Sequence, residues 1–207
     1  MKANIVVIGA GGHAKVCIDS LRLMNYEIDY CIGNDNCYDD NCLGIKILKG
    51  DDHIAKLRNQ GYGRVFIAIG DNILREKLTQ HVVNLGFELI NSIHPNSYIS
   101  SSVTLGNGVA VMAGAVINSS AVISNSVIVN SGAVIEHDCF IGVAAHVAPN
   151  CSLAGGVTIG KRSFIGIGTS IIQKINVGDD SIIGAGSVII RNVPCNSKAF
   201  GVPSKII

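Results

Sequence analysis

The second half of this 207-residue chain carries an uninterrupted six-residue repeat. Every sixth position from Ile93 to Ile189 is Ile, Leu or Val, and four residues after each of these stands a small or branched side chain. In an α-helix, residues spaced six apart do not stay on one face, because the helix has about 3.6 residues per turn. The repeat instead predicts short strands that turn a corner every six residues, with three strands per coil and the aliphatic row stacked inside a triangular prism.

The first part of the chain alternates short apolar runs with segments of helical spacing. We expect strands at residues 4–8, 27–32, 64–69 and 87–90, and helices at residues 17–24, 51–59 and 73–84. This alternation predicts a small, Rossmann-like α/β domain over residues 1–90. The β-helix would then cover residues 91–194, and an irregular tail, residues 195–207, would cap the open end of the prism or reach toward an anionic cofactor.

Glycines follow the first predicted strand, where the chain reads Gly9-Ala10-Gly11-Gly12-His13. Such a turn lets the backbone approach a phosphate at the start of a helix, which predicts a nucleotide or nucleotide-sugar site. A purely structural tight turn is the alternative. The acidic residue of a dinucleotide site is replaced by Gly33-Asn34, and ninety residues are too few for a complete six-strand fold. A mononucleotide therefore fits better than a nicotinamide dinucleotide.

One hexad of the repeat contains ionisable side chains that the wall of a prism does not need. His137 stands there between Glu136 and Asp138, and a histidine flanked by acids can act as a general base. A solvated surface histidine is the alternative. His146 follows nine residues later, which is half of an eighteen-residue coil and so the opposite side of one prism. A site that uses both histidines would lie between subunits, which predicts a symmetric trimer.

Composition excludes several classes of protein. The 16 basic and 15 acidic residues are scattered, so neither a nucleic acid nor a membrane surface is an expected partner. No run reaches the ~20 apolar residues of a membrane span, and the start lacks the pattern of a secretory signal, so we expect a cytoplasmic protein. The odd cysteine count argues against a disulfide framework, with Cys139 and Cys151 filling the prism interior. Three prism histidines, with His94 far from the others, do not predict a metal site.

The motifs taken together resemble one bacterial family of hexapeptide-repeat acyltransferases. They are the glycine turn, residues 67–72 (IAIGDN), residues 135–139 (IEHDC) and the ending 201–205 (GVPSK). This family contains the sialic-acid O-acetyltransferases called NeuD and the UDP-4-amino-sugar N-acetyltransferases called PglD, and the resemblance covers essentially the whole chain. It implies a left-handed parallel β-helix, a homotrimer with sites between subunits, and acetyl-CoA as acyl donor with no metal.

The resemblance also implies roles for individual residues. His137 would be the general base, and Asp138 the acid that supports it. Residues implied in acetyl-CoA binding are His146, at the thioester, with Gly155, Ile167 and Ala185. Residues implied in nucleotide-sugar binding are Gly11, Gly12, His13, Asn34, Gly70 and Asn130, the last near the sugar amine. Asn34 lies where this chain departs from the family's pattern, since relatives commonly have Asp-Asp or Asp-Asn after the second strand.

These observations predict an enzyme that acetylates the 4-amine of a UDP-linked amino-deoxy sugar in bacterial glycan biosynthesis. The amine would attack the thioester directly, with His137 removing its proton and no covalent acyl-enzyme. O-acetylation of a sialic-type sugar is an alternative that needs the same base. A noncatalytic scaffold, or a zinc-dependent carbonic anhydrase of similar fold, is the alternative from another class.

Overall fold

The computed structural model describes residues 4–207, which form two compact units. The first unit ends at Pro95, and the second spans Asn96–Ile207. Residues 1–3 of the predicted first domain lie outside the described residues. The domain boundaries inferred from the sequence, after residues 90 and 194, stay predictions.

The first unit is an α/β fold around a six-stranded sheet. Its elements are β1 (Asn4–Ile8), α1 (Gly12–Leu23), β2 (Glu27–Gly33), β3 (Asn41–Cys42), β4 (Ile45–Lys49), α2 (Asp52–Asn59), β5 (Arg64–Ile67), α3 (Asn72–Asn84), β6 (Glu88–Leu89) and β7 (Ser92–Ile93). The sheet order is β3-β4-β2-β1-β5-β6, and every pair is parallel except β3 with β4. Its centre is a continuous apolar core of strand and helix residues that includes Val6, Ile32, Ile54, Val65 and Val82.

Three expectations for this unit were wrong. The sheet does have six strands, which ninety residues can supply because β3 and β6 contribute only two residues each. The β3–β4 hairpin was not predicted: β3 has only two residues, and the short alternating run of β4, Ile45–Lys49, was overlooked. Helix α1 begins at Gly12, five residues before the predicted start, because Gly11 is its N-cap and Gly12 its first residue.

The second unit is built from strands of two or three residues. They are β8 (Tyr98–Ile99), β9 (Thr104–Leu105), β10 (Ala110–Val111), β11 (Val116–Ile117), β12 (Val122–Ile123), β13 (Ile128–Val129), β14 (Val134–Ile135), β15 (Phe140–Ile141), β16 (His146–Val147), β17 (Ser152–Leu153), β18 (Thr158–Ile159), β19 (Phe164–Ile165), β20 (Ser170–Ile171), β21 (Asn176–Val177), β22 (Ile182–Ile183), β23 (Val188–Ile189), β24 (Lys198–Phe200) and β25 (Lys205–Ile206). Strands three apart pair in parallel, which gives three sheets, β8 to β23, β9 to β21 and β10 to β22, and β24 and β25 extend the last of these. This is the left-handed parallel β-helix that the repeat and the resemblance predicted.

The interior of the prism follows the two rows of the repeat. From Val111 to Ile189 every aliphatic residue of the first row is at most 2% exposed. Cys139 and Cys151 are buried on the second row, as predicted. Three buried hydroxyls of that row, on Ser163, Thr169 and Ser181, donate to backbone carbonyls, as Ser163 does to Gly178 at 2.6 Å, so burial leaves these groups hydrogen-bonded.

The C-terminal tail is ordered, which corrects the expectation of an irregular segment. Strand β24 pairs in parallel with β22, and β25 turns back antiparallel to β24. The hexad pattern stops before β24, so the period that revealed the other strands carries no signal for these two.

Candidate active site

His137 and Asp138 form a hydrogen-bonded pair on the corner that follows β14. The Asp138 Oδ2 atom lies 2.7 Å from His137 Nδ1, and both side chains are about two-thirds exposed. Asp138 has a left-handed backbone conformation (φ 59°), which aspartate tolerates better than most residues. Because a carboxylate only accepts hydrogen bonds, Nδ1 carries the proton and Nε2 keeps a lone pair that can take another. The pair can therefore act as an oriented general base.

Gly155 lies against the His137 ring in the next coil. A Cβ atom built on Gly155 would come within 2.6 Å of Cε1 and Nε2 of His137. The N–H of Gly156 donates to the backbone carbonyl of His137 at 2.9 Å. The imidazole thus packs on a glycine backbone, and any side chain at position 155 would displace it. We call this corner, with His137, Asp138 and Gly155, the base ridge.

Asn130 and His146 form a second group on another corner. Asn130 follows β13 and His146 opens β16, the strand paired with β13. The Asn130 Nδ2 atom is 3.0 Å from His146 Nε2, and the His146 ring packs edge-on against Phe164 with centroids 5.1 Å apart. Ile167 and Ala185 are exposed on the same corner, after β19 and β22. We call this corner, with Asn130, Ile167, Ala185 and the neighbouring His146, the amide ridge.

The two ridges divide the predicted site residues of the second unit. The base ridge lies where β14 and β17 end, and the amide ridge lies where β13, β19 and β22 end. These strands belong to different sheets, so the ridges are different corners of one prism. A single prism does not bring His137 next to Asn130 or His146.

A cavity of about 380 Å³ lies in the first unit at the carboxyl ends of its central strands. Strand β1 pairs with β2 on one side and β5 on the other, and ligands of open α/β sheets bind where the chain crosses over in this way. Gly11 and Asn34, two of the residues predicted to bind the substrate, line the cavity. Asp39 and Asp51 also line it, and the sequence analysis did not single them out.

The glycine turn opens the start of α1 toward this end of the sheet. Gly9 has φ 124°, and a Cβ there would lie 2.4 Å from the Ala68 carbonyl oxygen, so only glycine fits. Gly11 and Gly12 have open space where a Cβ would be. Within the described residues no side chain caps α1 at Gly11, which leaves its first N–H groups available to an anion.

Burial keeps His13 neutral near Arg75. Burial, and then the charge of Arg75, lower the pKa of His13 from its ordinary 6.5 to about 4. The His13 Nε2 atom lies 3.5 Å from the Cys17 Sγ atom. A neutral imidazole behind the glycine turn can accept or donate one hydrogen bond without adding charge.

Arg75 is a buried cation that the sequence analysis missed. It is 1% exposed and donates to the Ile69 and Gly70 carbonyls at 2.9 and 3.1 Å and to Asn72 Oδ1 at 2.8 Å. These bonds fix the loop that contains Gly70, a predicted substrate residue. The sequence carried no signal for this role, since the three oxygens that Arg75 contacts come together only in the folded unit.

Two negative findings concern the described residues only. Across residues 4–207, no three His, Cys, Asp or Glu side chains are grouped as metal ligands would be. In the same residues no helix is long and apolar enough to cross a bilayer. The seven cysteines are all free thiols.

Comparisons with known proteins agree on one group. Residues 4–82 match the model of the PglD N-terminal domain. PerB from Caulobacter crescentus, solved in complex with CoA and GDP-perosamine, is 45% identical with a TM-score of 0.94, covering 99% of this chain and 97% of that chain. The acetyltransferase domain of PglB from Neisseria gonorrhoeae, in complex with acetyl coenzyme A, is 32% identical with a TM-score of 0.93, covering all of both chains.

Two further similarities give weaker support for this grouping. WeeI from Acinetobacter baumannii has the same fold, with 22% identity and a TM-score of 0.78 over 98% of this chain and 99% of that one. A protein of Acanthamoeba polyphaga mimivirus is 38% identical over 104 residues, which are 50% of this chain and 20% of that protein. Because full-length matches at 45% and 32% identity join the domain match and the shared fold, the chain belongs to the NeuD/PglD family of acetyl-CoA-dependent sugar acetyltransferases.

Proposed function

We propose that this protein transfers the acetyl group of acetyl-CoA to the amine of a nucleotide-linked amino sugar. The observation that carries the proposal is the His137–Asp138 pair, a general base exposed on the prism of a chain 45% identical to a GDP-perosamine N-acetyltransferase. An amine nucleophile is favoured over a hydroxyl because a structure 45% identical to this chain over nearly its full length is named as a GDP-perosamine N-acetyltransferase.

In this mechanism the neutral sugar amine adds its lone pair to the thioester carbonyl carbon. His137 Nε2 takes a proton from the amine, while Asp138 holds Nδ1–H and stabilises the imidazolium that forms. The tetrahedral oxyanion needs N–H donors, a task that the resemblance gives to the Gly155 backbone. When the intermediate collapses, the C–S bond breaks and the thiolate of CoA leaves. His137 Nε2 then passes to this thiolate the proton that it took from the amine. No covalent acyl-enzyme is needed, and the buried Cys139 thiol is not a nucleophile here.

We propose a guanine nucleotide in place of the UDP expected from the sequence. The relative with 45% identity binds GDP-perosamine. The cavity of the first unit also supports this choice, since the carboxylates of Asp39 and Asp51 stand at its wall. Guanine offers a donor edge of one ring N–H and one amino group, which a carboxylate can accept together, whereas uracil offers a single N–H.

We further propose a homotrimer in which the base ridge of one subunit faces the amide ridge of the next. The separation of the ridges on one prism supports this arrangement, since a site using both needs two copies. Acetyl-CoA would then lie between subunits along Ile167 and Ala185, with His146 nearby.

The test is thiol release from acetyl-CoA with a panel of acceptors. GDP-perosamine, a UDP-linked 4-amino sugar and free sialic acid are compared at equal concentration, and products are identified by mass spectrometry. We expect an N-acetylated product that forms fastest from GDP-perosamine. Faster turnover of the UDP sugar would support the UDP nucleotide predicted from the sequence. Turnover of sialic acid alone would refute the amine acceptor.

A further inference from the structure

The amide of Asn130 is held at both of its ends. Its Oδ1 accepts a hydrogen bond from the Ser131 N–H at 2.8 Å, and its Nδ2 faces His146 Nε2 at 3.0 Å. The Ser131 contact decides which end is oxygen, because the opposite orientation would set the amide NH₂ against a backbone N–H. Nδ2 is therefore the donor toward His146.

This orientation fixes the proton on His146. Since Asn130 Nδ2 only donates, His146 Nε2 must accept, and an imidazole nitrogen that accepts carries no hydrogen. His146 is thus the neutral tautomer with its proton on Nδ1. The edge-on packing of Phe164 and the burial of the ring, which is 9% exposed, keep the imidazole in this position.

Burial also decides what His146 can touch. Little of its ring reaches the surface, and its Nδ1 atom is enclosed. Asn130, by contrast, is half-buried at the corner. After the bonds to Ser131 and His146, its amide keeps one oxygen lone pair and one N–H for a ligand.

We propose that His146 is a positioning residue whose Nε2 lone pair locks the Asn130 amide, so that Asn130 presents its oxygen to the N–H of the acceptor amine. The inference rests on the proposed function. It differs from the direct contact with the thioester that the resemblance implies for His146. Without His146 the Ser131 N–H alone would hold the Asn130 amide, by its oxygen, and the NH₂ end would be free to swing away from the orientation that faces the attacking amine.

The first test measures the tautomer without any substrate. Long-range ¹H–¹⁵N spectra of the labelled protein, with His146 assigned from the His146→Gln variant, should show the Nδ1–H form. Asn130→Asp replaces the donor with an acceptor and should move the proton to Nε2. Asn125→Asp is the matched control, because Asn125 only accepts, from the Asn107 N–H at 2.9 Å, and it should leave the His146 signal unchanged. An Nε2–H form in the unmodified protein would overturn the inference.

The second test separates positioning from direct contact. His146→Leu removes the acceptor and should lower kcat about tenfold or more, because a misplaced reacting group costs up to about 100-fold. The KM for acetyl-CoA should change less than about twofold in this variant. His146→Gln offers an amide oxygen to Asn130 and should recover most of the lost rate. A KM for acetyl-CoA that rises in both variants would instead show thioester contact and refute the positioning role.

Failure of this inference and failure of the proposed function give different results. If the unmodified protein turns over no nucleotide sugar but shows the Nδ1–H tautomer, the proposed function fails, and so does the role of Asn130 toward an amine. If turnover occurs and the tautomer is Nε2–H, only the positioning role is lost.

Discussion

His137, the proposed general base, lies at a corner where the prism supplies both of its supports. Asp138, in a left-handed turn, holds Nδ1, and the Gly155 backbone lies against the ring face. Replacing His137 by Ala removes the base and leaves an exposed corner with little packing. We expect kcat to fall about 100- to 10,000-fold while the thermal unfolding curve and acetyl-CoA binding stay close to those of the unmodified protein. Unchanged kcat in thiol-release assays would eliminate His137 as the base.

Gly155→Ala tests the geometry of the base rather than its chemistry. The added Cβ would lie 2.6 Å from two ring atoms of His137, so the imidazole must move by about an ångström. We expect kcat to fall at least tenfold with His137 still present. Gly63→Ala is the control, since no atom lies within 4 Å of a Cβ at that exposed position. Equal activity of both variants would contradict the packing of His137 on Gly155.

The sequence predicted single residues where a pattern made them stand out. His137 was visible because a regular hexad exposed a histidine between two acids at a corner. Arg75 was not visible, because a lone arginine in a helix gives no sign of the three oxygens that its side chain meets after folding. The bond between Asn130 and His146 was also beyond reach, since it joins residues sixteen positions apart through side-chain orientation.

At the scale of elements, α3 and the loop before it depend on the buried Arg75. Arg75→Met would leave the Ile69 and Gly70 carbonyls without this donor, and buried acceptors that lose a partner cost about 1–3 kcal/mol. We expect that drop in the free energy of unfolding and weaker nucleotide-sugar binding. Lys77→Met, on the exposed face of the same helix, should change stability by less than about 0.5 kcal/mol. Urea titration followed by tyrosine fluorescence suits this unit, which holds four of the five tyrosines. Equal stability of the two variants would refute the role of Arg75.

The start of α1 should make the first unit sensitive to pH through His13. Its pKa is about 4 in the folded protein and near 6.5 when unfolded, so between these values the unfolded chain binds more protons. Stability from this residue is therefore full above pH 6.5 and declines as pH falls toward 4, with a slope of up to about 1.4 kcal/mol per pH unit. His13→Asn should flatten the urea-midpoint profile over that range. A profile as steep as that of the unmodified protein would contradict the lowered pKa.

The elements that could be predicted are those whose sequence follows a regular pattern of apolar residues. Every strand from β8 to β23 follows from the hexad, because each coil repeats the same two buried rows. The strands β24 and β25 were missed because they lie outside the hexad period, and β4 was overlooked because its alternating run spans only five residues. The start of α1 was misjudged because glycine is read as a loop residue even where it begins a helix.

At the scale of the whole molecule, the proposed active site needs two ridges that one prism keeps apart. The hexad count predicted this, since nine residues are half of a coil. The structure of a single chain does not show the surface through which two copies would bring their ridges together. The claim that they meet is therefore tested best by activity that only a mixed assembly can have.

The decisive measurement is complementation between His137→Ala, which loses the base ridge, and Asn130→Ala, which loses the amide ridge. The two variants are co-expressed in equal amount, and acetyl transfer to GDP-perosamine is compared with that of each variant alone. In randomly mixed trimers about one site in four joins two intact ridges. We predict recovery of about a quarter of the unmodified activity. Activity no higher than the average of the two separate variants would show that each site belongs to one subunit and would contradict the account.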